Sequence, residues 1–214
     1  MLSSIIVIDD FYAEPLEVRE AALRLSYPEP GPGVYYPGRT SKQRLLPPNS
    51  DEMFSFILRE PVTGAKNSTH GCCRYSLAGS KRPAEIHIDP GKTWAGLVYL
   101  TLDRDCRGGT EMFRHKRYGT DRAPTTDEEA KRIYGMDTCK EVVRKLIYDD
   151  GHHLDRWDHL TTLPMKFNRC VLFRPWMWHT SGVDFGDTIE NGRLVQVLFF
   201  TVADPNGALT APEL

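Results

Sequence analysis

His87 and Asp89 stand two positions apart in the stretch EIHIDPG, residues 85–91. In an extended chain residues i and i+2 point to one face, so an imidazole and a carboxylate at this spacing can converge on one metal ion. Spacing alone decides little, because 7 His and 29 acidic residues among 214 give about one His-x-acid match by chance. The chain holds a second, His153 and Asp155, in the charge-rich stretch DDGHHLDRWDH, where a solvated turn accounts for it. Around the first pair the sequence adds partners. The apolar run CVLFRPWMWHTSG delivers His179 just before a Ser-Gly turn, and Arg193 then opens the very apolar run RLVQVLFFTV. An arginine leading so hydrophobic a strand is costly unless it meets an anion. Two imidazoles and a carboxylate on one face of an iron leave positions open for a chelating cosubstrate and O2. A dicarboxylate that chelates through a 2-oxo acid end needs a fixed cation at its far end, and a guanidinium binds carboxylate bidentately.

Strands must carry these residues. IIVIDDF reads as a short strand, EPLEVREAALRL as a helix entered through a proline, and DEMFSFILREPV as a second short helix. Residues 27–50, dense in Pro and Gly, read as an irregular ordered loop whose tyrosines offer surface to bury. From residue 71 the texture is β: CCRYSLA, AEIHID, WAGLVYLTL, GTEMF, RCVLFRP and RLVQVLFFTV, punctuated by PG, GG and SG. Residues 114–165 interrupt these strands with two capped helical patterns, TTDEEAKRIYG and DTCKEVVRKLIYDD, and read as an insertion or lid. The expected architecture is one domain, 1–214, mainly β, with N-terminal helices and a partly helical insertion.

A chain of this length with 40% hydrophobic residues can bury one substantial core. A net charge of −2 gives no general attraction to nucleic acid or to an anionic membrane. No stretch approaches the roughly 20 apolar residues of a membrane span, and the N-terminus lacks a cationic leader, so a soluble, cytoplasmic protein is expected. Cys72, Cys73, Cys106, Cys139 and Cys170 form neither a disulfide framework nor a zinc knuckle. Hydrolase and nucleotide chemistry lack their motifs: there is no G-x-S-x-G, H-E-x-x-H or P-loop.

In order and rough distance, His87 and Asp89, then LVYLTLDRDCRGGTEMF (97–113), LFRPWMWHTSG (172–182) and Arg193, resemble the Fe(II)- and 2-oxoglutarate-dependent dioxygenases, in the prolyl-hydroxylase-like branch. The match runs over about residues 71–202, and the opening IIVIDDFYAEPLEVREAAL looks like the start of small bacterial members. The resemblance implies a double-stranded β-helix, the jelly-roll barrel of cupin-like enzymes. It implies that His87, Asp89 and His179 bind Fe(II), that Arg193 grips the distal carboxylate of 2-oxoglutarate, and that Tyr99 hydrogen-bonds it, with Tyr75 a weaker cosubstrate candidate. The gap from His179 to Arg193 exceeds the family pattern, and the turn DFGDTIENG absorbs the surplus. A salt bridge with Glu190 is the plain alternative for Arg193, and Arg74 and Arg174 are the next cations for its role. The implied reaction converts 2-oxoglutarate and O2 to succinate and CO2 while hydroxylating an unactivated C–H bond of a small molecule, such as an amino acid or natural-product intermediate. Halogenating relatives carry a small residue where this chain has Asp89, which favours oxygenation or desaturation. Alternatives are a cupin-like module that binds a metal or small anion without oxygen chemistry, and a protein or peptide hydroxylase with an open cleft. The oligomeric state, monomer or homodimer, is left open.

Overall fold

A computed structural model describes residues 4–31, 36–80, 86–202 and 211–212. The chain is mainly β. Its larger sheet is antiparallel and runs β1 (Ile5–Ile8), β8 (Cys170–Phe173), β5 (Trp94–Tyr99), β10 (Arg193–Val202), β4 (Cys72–Ser76) and β2 (Arg39–Arg44), with β3 (Val62–Gly64) paired to the end of β10. A smaller sheet holds β7 (Trp157–Pro164), β6 (Gly109–His115) and β9 (His179–Thr180), again antiparallel.

β10 explains why the sheet has two different faces. Side chains alternate along a strand, so Leu194, Leu198 and Phe200 pack against Ala22 of α1 (Pro15–Leu23) and Phe54 and Leu58 of α2 (Ser50–Leu58). Val195, Val197 and Phe199 point the other way, into a second cluster with Met112 of β6 and Leu163 of β7. Arg193 shares their parity and therefore faces the space between the sheets. Truncating a fully buried ring such as Phe200 to alanine would cost about 3–5 kcal/mol, so the strand's register is strongly fixed.

A third cluster lies under the helical segment. Thr126 and Thr138 cap α3 (Asp127–Glu129) and α4 (Cys139–Lys145), each hydroxyl accepting the backbone N–H three residues on. Both helices widen into π turns, Ala130–Tyr134 and Leu146–Asp150. Val142, Val143, Leu146 and Ile147 bury themselves on Ile86, Ile88, Trp157 and Trp178. This segment thus packs on the neighbours of both histidines, Ile86 and Ile88 beside His87 and Trp178 beside His179.

Three expectations need correction. Within the Pro/Gly-rich stretch 27–50, residues 39–44 form β2, a polar edge strand (RTSKQR) that pairs with β4 and has no apolar alternation to announce it. The stretch AEIHID is not a full strand among the described residues: His87 makes one isolated bridge to His179, and Ala84 and Glu85 lie outside those residues. Inside 114–165, residues 157–164 form β7, paired along the whole of β6, so the helical part is confined to 127–150 and a single 3-10 turn at Leu154–Arg156.

Candidate metal centre

The bridge between His87 and His179 places the two imidazoles side by side. Each residue's N–H meets the other's carbonyl, at 2.9 and 3.0 Å, and the ring centroids are 4.5 Å apart. Asp89 is anchored by its own N–H on the Pro175 carbonyl, 3.0 Å away. One nitrogen from each histidine and a carboxylate oxygen of Asp89 all lie within 4.8 Å of one another, and all three residues are buried. No other group of three such ligands occurs among the described residues.

Local hydrogen bonds prepare these atoms for a metal. His179 Nδ1 lies 2.8 Å from the Met177 carbonyl, which can only accept, so Nδ1 carries the proton and the lone pair sits on Nε2. That nitrogen lies 3.3 Å from Asp89 Oδ2. The Tyr36 hydroxyl donates to the other carboxylate oxygen, Oδ1, at 2.5 Å, and its ring sets its edge on His87. Burial alone would raise the Asp89 pKa, but the positive charge that His179 and His87 carry when protonated, together with the Tyr36 phenol, outweighs it and holds the carboxyl at about 2; a metal cation would supply that charge beside the neutral rings. The turn after His179 is built for close approach: Gly182 has φ +75°, and a Cβ there would sit 2.1 Å from the Gly109 carbonyl oxygen. The donor set of two imidazoles and one carboxylate, with its tautomer already fixed, fits a divalent first-row ion with positions left open.

These residues form one wall of a cavity between the sheets. Val195, Val197, Phe199 and Phe173 make its apolar sides, and Arg193, Arg74 and Thr110 supply polar groups. Arg193 is only 4% exposed, with its guanidinium 5.9 Å from the Tyr99 ring centre. Tyr99 itself lies behind the wall. Its hydroxyl accepts the Thr110 N–H at 2.9 Å, lies 2.9 Å from Thr110 Oγ1 and 3.3 Å from the Leu163 carbonyl. Thr110 is thus the residue that reaches the cavity, with Tyr99 setting its position.

Tyr75 is not brought to the site. It opposes Leu194 on the helix-covered face of the sheet and packs edge-on against Tyr27, because its parity is the opposite of Arg193's. Its neighbour Arg74, opposite Val195, faces the cavity instead. Burial pushes the Arg74 pKa down, while the nearby Tyr36 and Asp89 favour its charge. Arg174 lies elsewhere, paired to Glu60 and stacked 3.9 Å over Trp94. His153 and Asp155 sit exposed in a turn; Arg114 at the end of β6 and Lys116 and Arg117 in the turn after it are exposed as well, whereas the His115 among them is buried on Asp150. Sequence reasoning missed Tyr36 and Thr110. The doubled tyrosine of GVYYPG, in a loop with surface to bury, was the available signal for the first; nothing in TEMF singles out the second.

Residues 2–200 match the model of a family of unknown function, DUF6445. No curated protein matches the chain. Two crystal structures of HygX from Streptomyces hygroscopicus are similar at a TM-score of 0.49, one with nickel and 2-oxoglutarate bound, the other with hygromycin B as well. They are 13% and 12% identical to this chain, covering 94% of it and 84% of HygX. Among the described residues no helix is long and apolar enough to cross a membrane.

Proposed function

The chain belongs to the DUF6445 family, and from that footing we propose that it is an Fe(II)- and 2-oxoglutarate-dependent oxygenase that hydroxylates a small molecule. The observation that carries this reading is the buried set of His87, Asp89 and His179 opening onto a cavity whose wall holds Arg193. Strand order supports it: β8-β5-β10-β4 and β7-β6-β9 form two antiparallel sheets, with His87 bridging the free side of β9, an arrangement that a double-stranded β-helix would have. On this reading the chain is one domain, 1–214, with residues 71–202 as its core and the helical segment as a lid over one end. Its free thiols suit a reducing compartment such as the cytoplasm.

Each residue then has a task. His87, Asp89 through Oδ2 and His179 through Nε2 would hold the ion, and Tyr36 keeps Asp89 in place by engaging Oδ1. Arg193 binds the distal carboxylate of 2-oxoglutarate through its planar fork, with Thr110 beside it. Val195, Val197 and Phe199 exclude water and shape the space for the reacting carbon. Bound there, Fe(II) supplies the coupling of 2-oxoglutarate decarboxylation to oxidation of a C–H bond by O2. Asp89 fills the third ligand position with a negative charge, which disfavours a halide there and points to oxygenation.

The test is succinate release from 2-oxoglutarate with Fe(II) in air, screened against free amino acids, carrier-bound amino acids and peptides. Substrate-dependent succinate that disappears in Asp89→Ala supports the reading; none above the metal-only background with any class contradicts it.

A further inference from the structure

Arg74 presents a problem that the oxygenase reading alone does not solve. It is 9% exposed, and its hydrogen bonds are to two neutral hydroxyls: Nε to Thr40 Oγ1 at 3.0 Å and Nη2 to Thr69 Oγ1 at 3.4 Å. Its guanidinium lies over the Tyr36 ring, 4.1 Å from the centroid. Among the described residues it forms no ion pair, and Nη1 has no hydrogen-bond acceptor. A guanidinium buried without a carboxylate is expensive, and a cation–π contact with two hydroxyls offsets only part of that. Among the described residues that line the cavity the one acid, Asp89, is already engaged by Tyr36 and His179.

The surroundings set Arg74 apart from Arg193. Arg193 stands at the start of β10 near Tyr99, the side on which Thr110 enters the cavity. Arg74 comes from the next strand, opposite Val195, and is held by Thr40 and Tyr36 from the segment before β4. Tyr36 touches Asp89, His87 and Arg74 at once, so Arg74 lies on the Asp89 side of the ligand set. Among the described residues the cavity thus has two guanidinium positions, and one dicarboxylate whose 2-oxo acid end is at the metal uses one of them.

We infer that Arg74 binds a carboxylate of the prime substrate, so that the enzyme acts on a small carboxylic acid held between Arg74 and the metal centre. This rests on the oxygenase reading above and adds the substrate's class to it. Tyr36 links the two events, since the ring that supports Arg74 also orients Asp89. Charge-assisted, bidentate pairing makes a neutral amide of the same shape a poor substitute.

The test uses the full chain loaded with Ni(II), which binds without turnover, and saturating 2-oxoglutarate. Binding is measured by titration calorimetry for matched probes: benzoate against benzamide, hexanoate against hexanamide, and N-acetylglycine against N-acetylglycinamide. At least one acid should bind tenfold or more tighter than its amide. In Arg74→Gln that preference should fall below twofold, while the Kd for 2-oxoglutarate moves less than threefold. Arg74→Lys keeps the charge without the fork and should retain an intermediate preference, which carries the test if Arg74→Gln fails to fold. An acid preference that survives in Arg74→Gln overturns the assignment of Arg74, as does the lack of any acid preference in the wild type. A tenfold loss of 2-oxoglutarate binding in Arg74→Gln also overturns it, by giving Arg74 to the cosubstrate. Failure of the wild type to bind 2-oxoglutarate in a Ni(II)-dependent way would instead overturn the oxygenase reading itself.

Discussion

Tyr99→Phe separates a residue that builds the cavity from one that holds the cosubstrate. In the native chain the phenol oxygen accepts the buried Thr110 N–H at 2.9 Å and reaches Thr110 Oγ1 and the Leu163 carbonyl. Both residues are at most 1% exposed, so no water replaces the lost oxygen and the Thr110 N–H is left without an acceptor. Such a group costs about 1–3 kcal/mol. For a chain of this size each kcal/mol moves Tm by about 2–4 °C, so the variant should melt about 2–12 °C lower. The ring still fills its site, and Arg193 is untouched, so 2-oxoglutarate affinity should change less than threefold. Thermal denaturation followed by circular dichroism and a Ni(II)-supported 2-oxoglutarate titration measure the two quantities. A variant as stable as the wild type that binds 2-oxoglutarate tenfold more weakly would refute this reasoning and make Tyr99 a direct cosubstrate ligand.

On the proposed reading Arg193→Ala would remove a charge-assisted contact worth about 1.5–3 kcal/mol, so it should raise the 2-oxoglutarate requirement roughly ten- to a hundredfold and leave metal affinity nearly unchanged; paired titrations with the two ligands check this. Gly182→Ala puts a methyl group 2.1 Å from the Gly109 carbonyl oxygen at φ +75°, so β9 must shift and His179 with it. Metal affinity should drop at least tenfold in a chain that still folds, measured by competition with a chromogenic chelator. Asp150 accepts from His115 at 2.9 Å and from Arg156, and these partners lower its pKa against the opposing effect of burial. A carboxyl depressed in the folded state contributes stability above its unfolded pKa near 3.9 and loses it as pH falls through the folded value. Urea midpoints should therefore decline more steeply from about pH 5 to about pH 3 in the wild type than in Asp150→Asn, and equal slopes would contradict the pairing.

The convergence of His87, Asp89 and His179 was legible because metal chemistry restricts residue types, and because a strand-like spacing aims His87 and Asp89 together. The place of Arg193 on the cavity wall was legible for a related reason, a charge at the head of a strand too apolar to tolerate it. Tyr75 and Arg74 mark the limit. They are adjacent, so choosing between them requires the register of β4 on β10, which depends on residues more than 110 positions apart. Arg74 broke the same rule as Arg193, a cation inside the buried strand CCRYS, yet its face could not be assigned. Tyr36 was hidden because its role comes from a loop folding back onto Asp89, 53 positions later. β2 and β7 are largely polar strands, with RTSKQR at one sheet edge and WDHLTTLP at another, so neither carries the alternation that a half-buried strand would. The capped helices were readable from Thr126 and Thr138 because a cap is a local contact.

The central claim is that His87, Asp89 and His179 hold one iron with 2-oxoglutarate chelated to it. Anaerobic titration of the full chain with Fe(II) and then 2-oxoglutarate tests it without turnover or a known substrate. The account predicts a weak visible charge-transfer band that saturates at one Fe(II) per chain and is absent from His179→Ala. The same band at the same strength in His179→Ala, or none in the wild type, would contradict it.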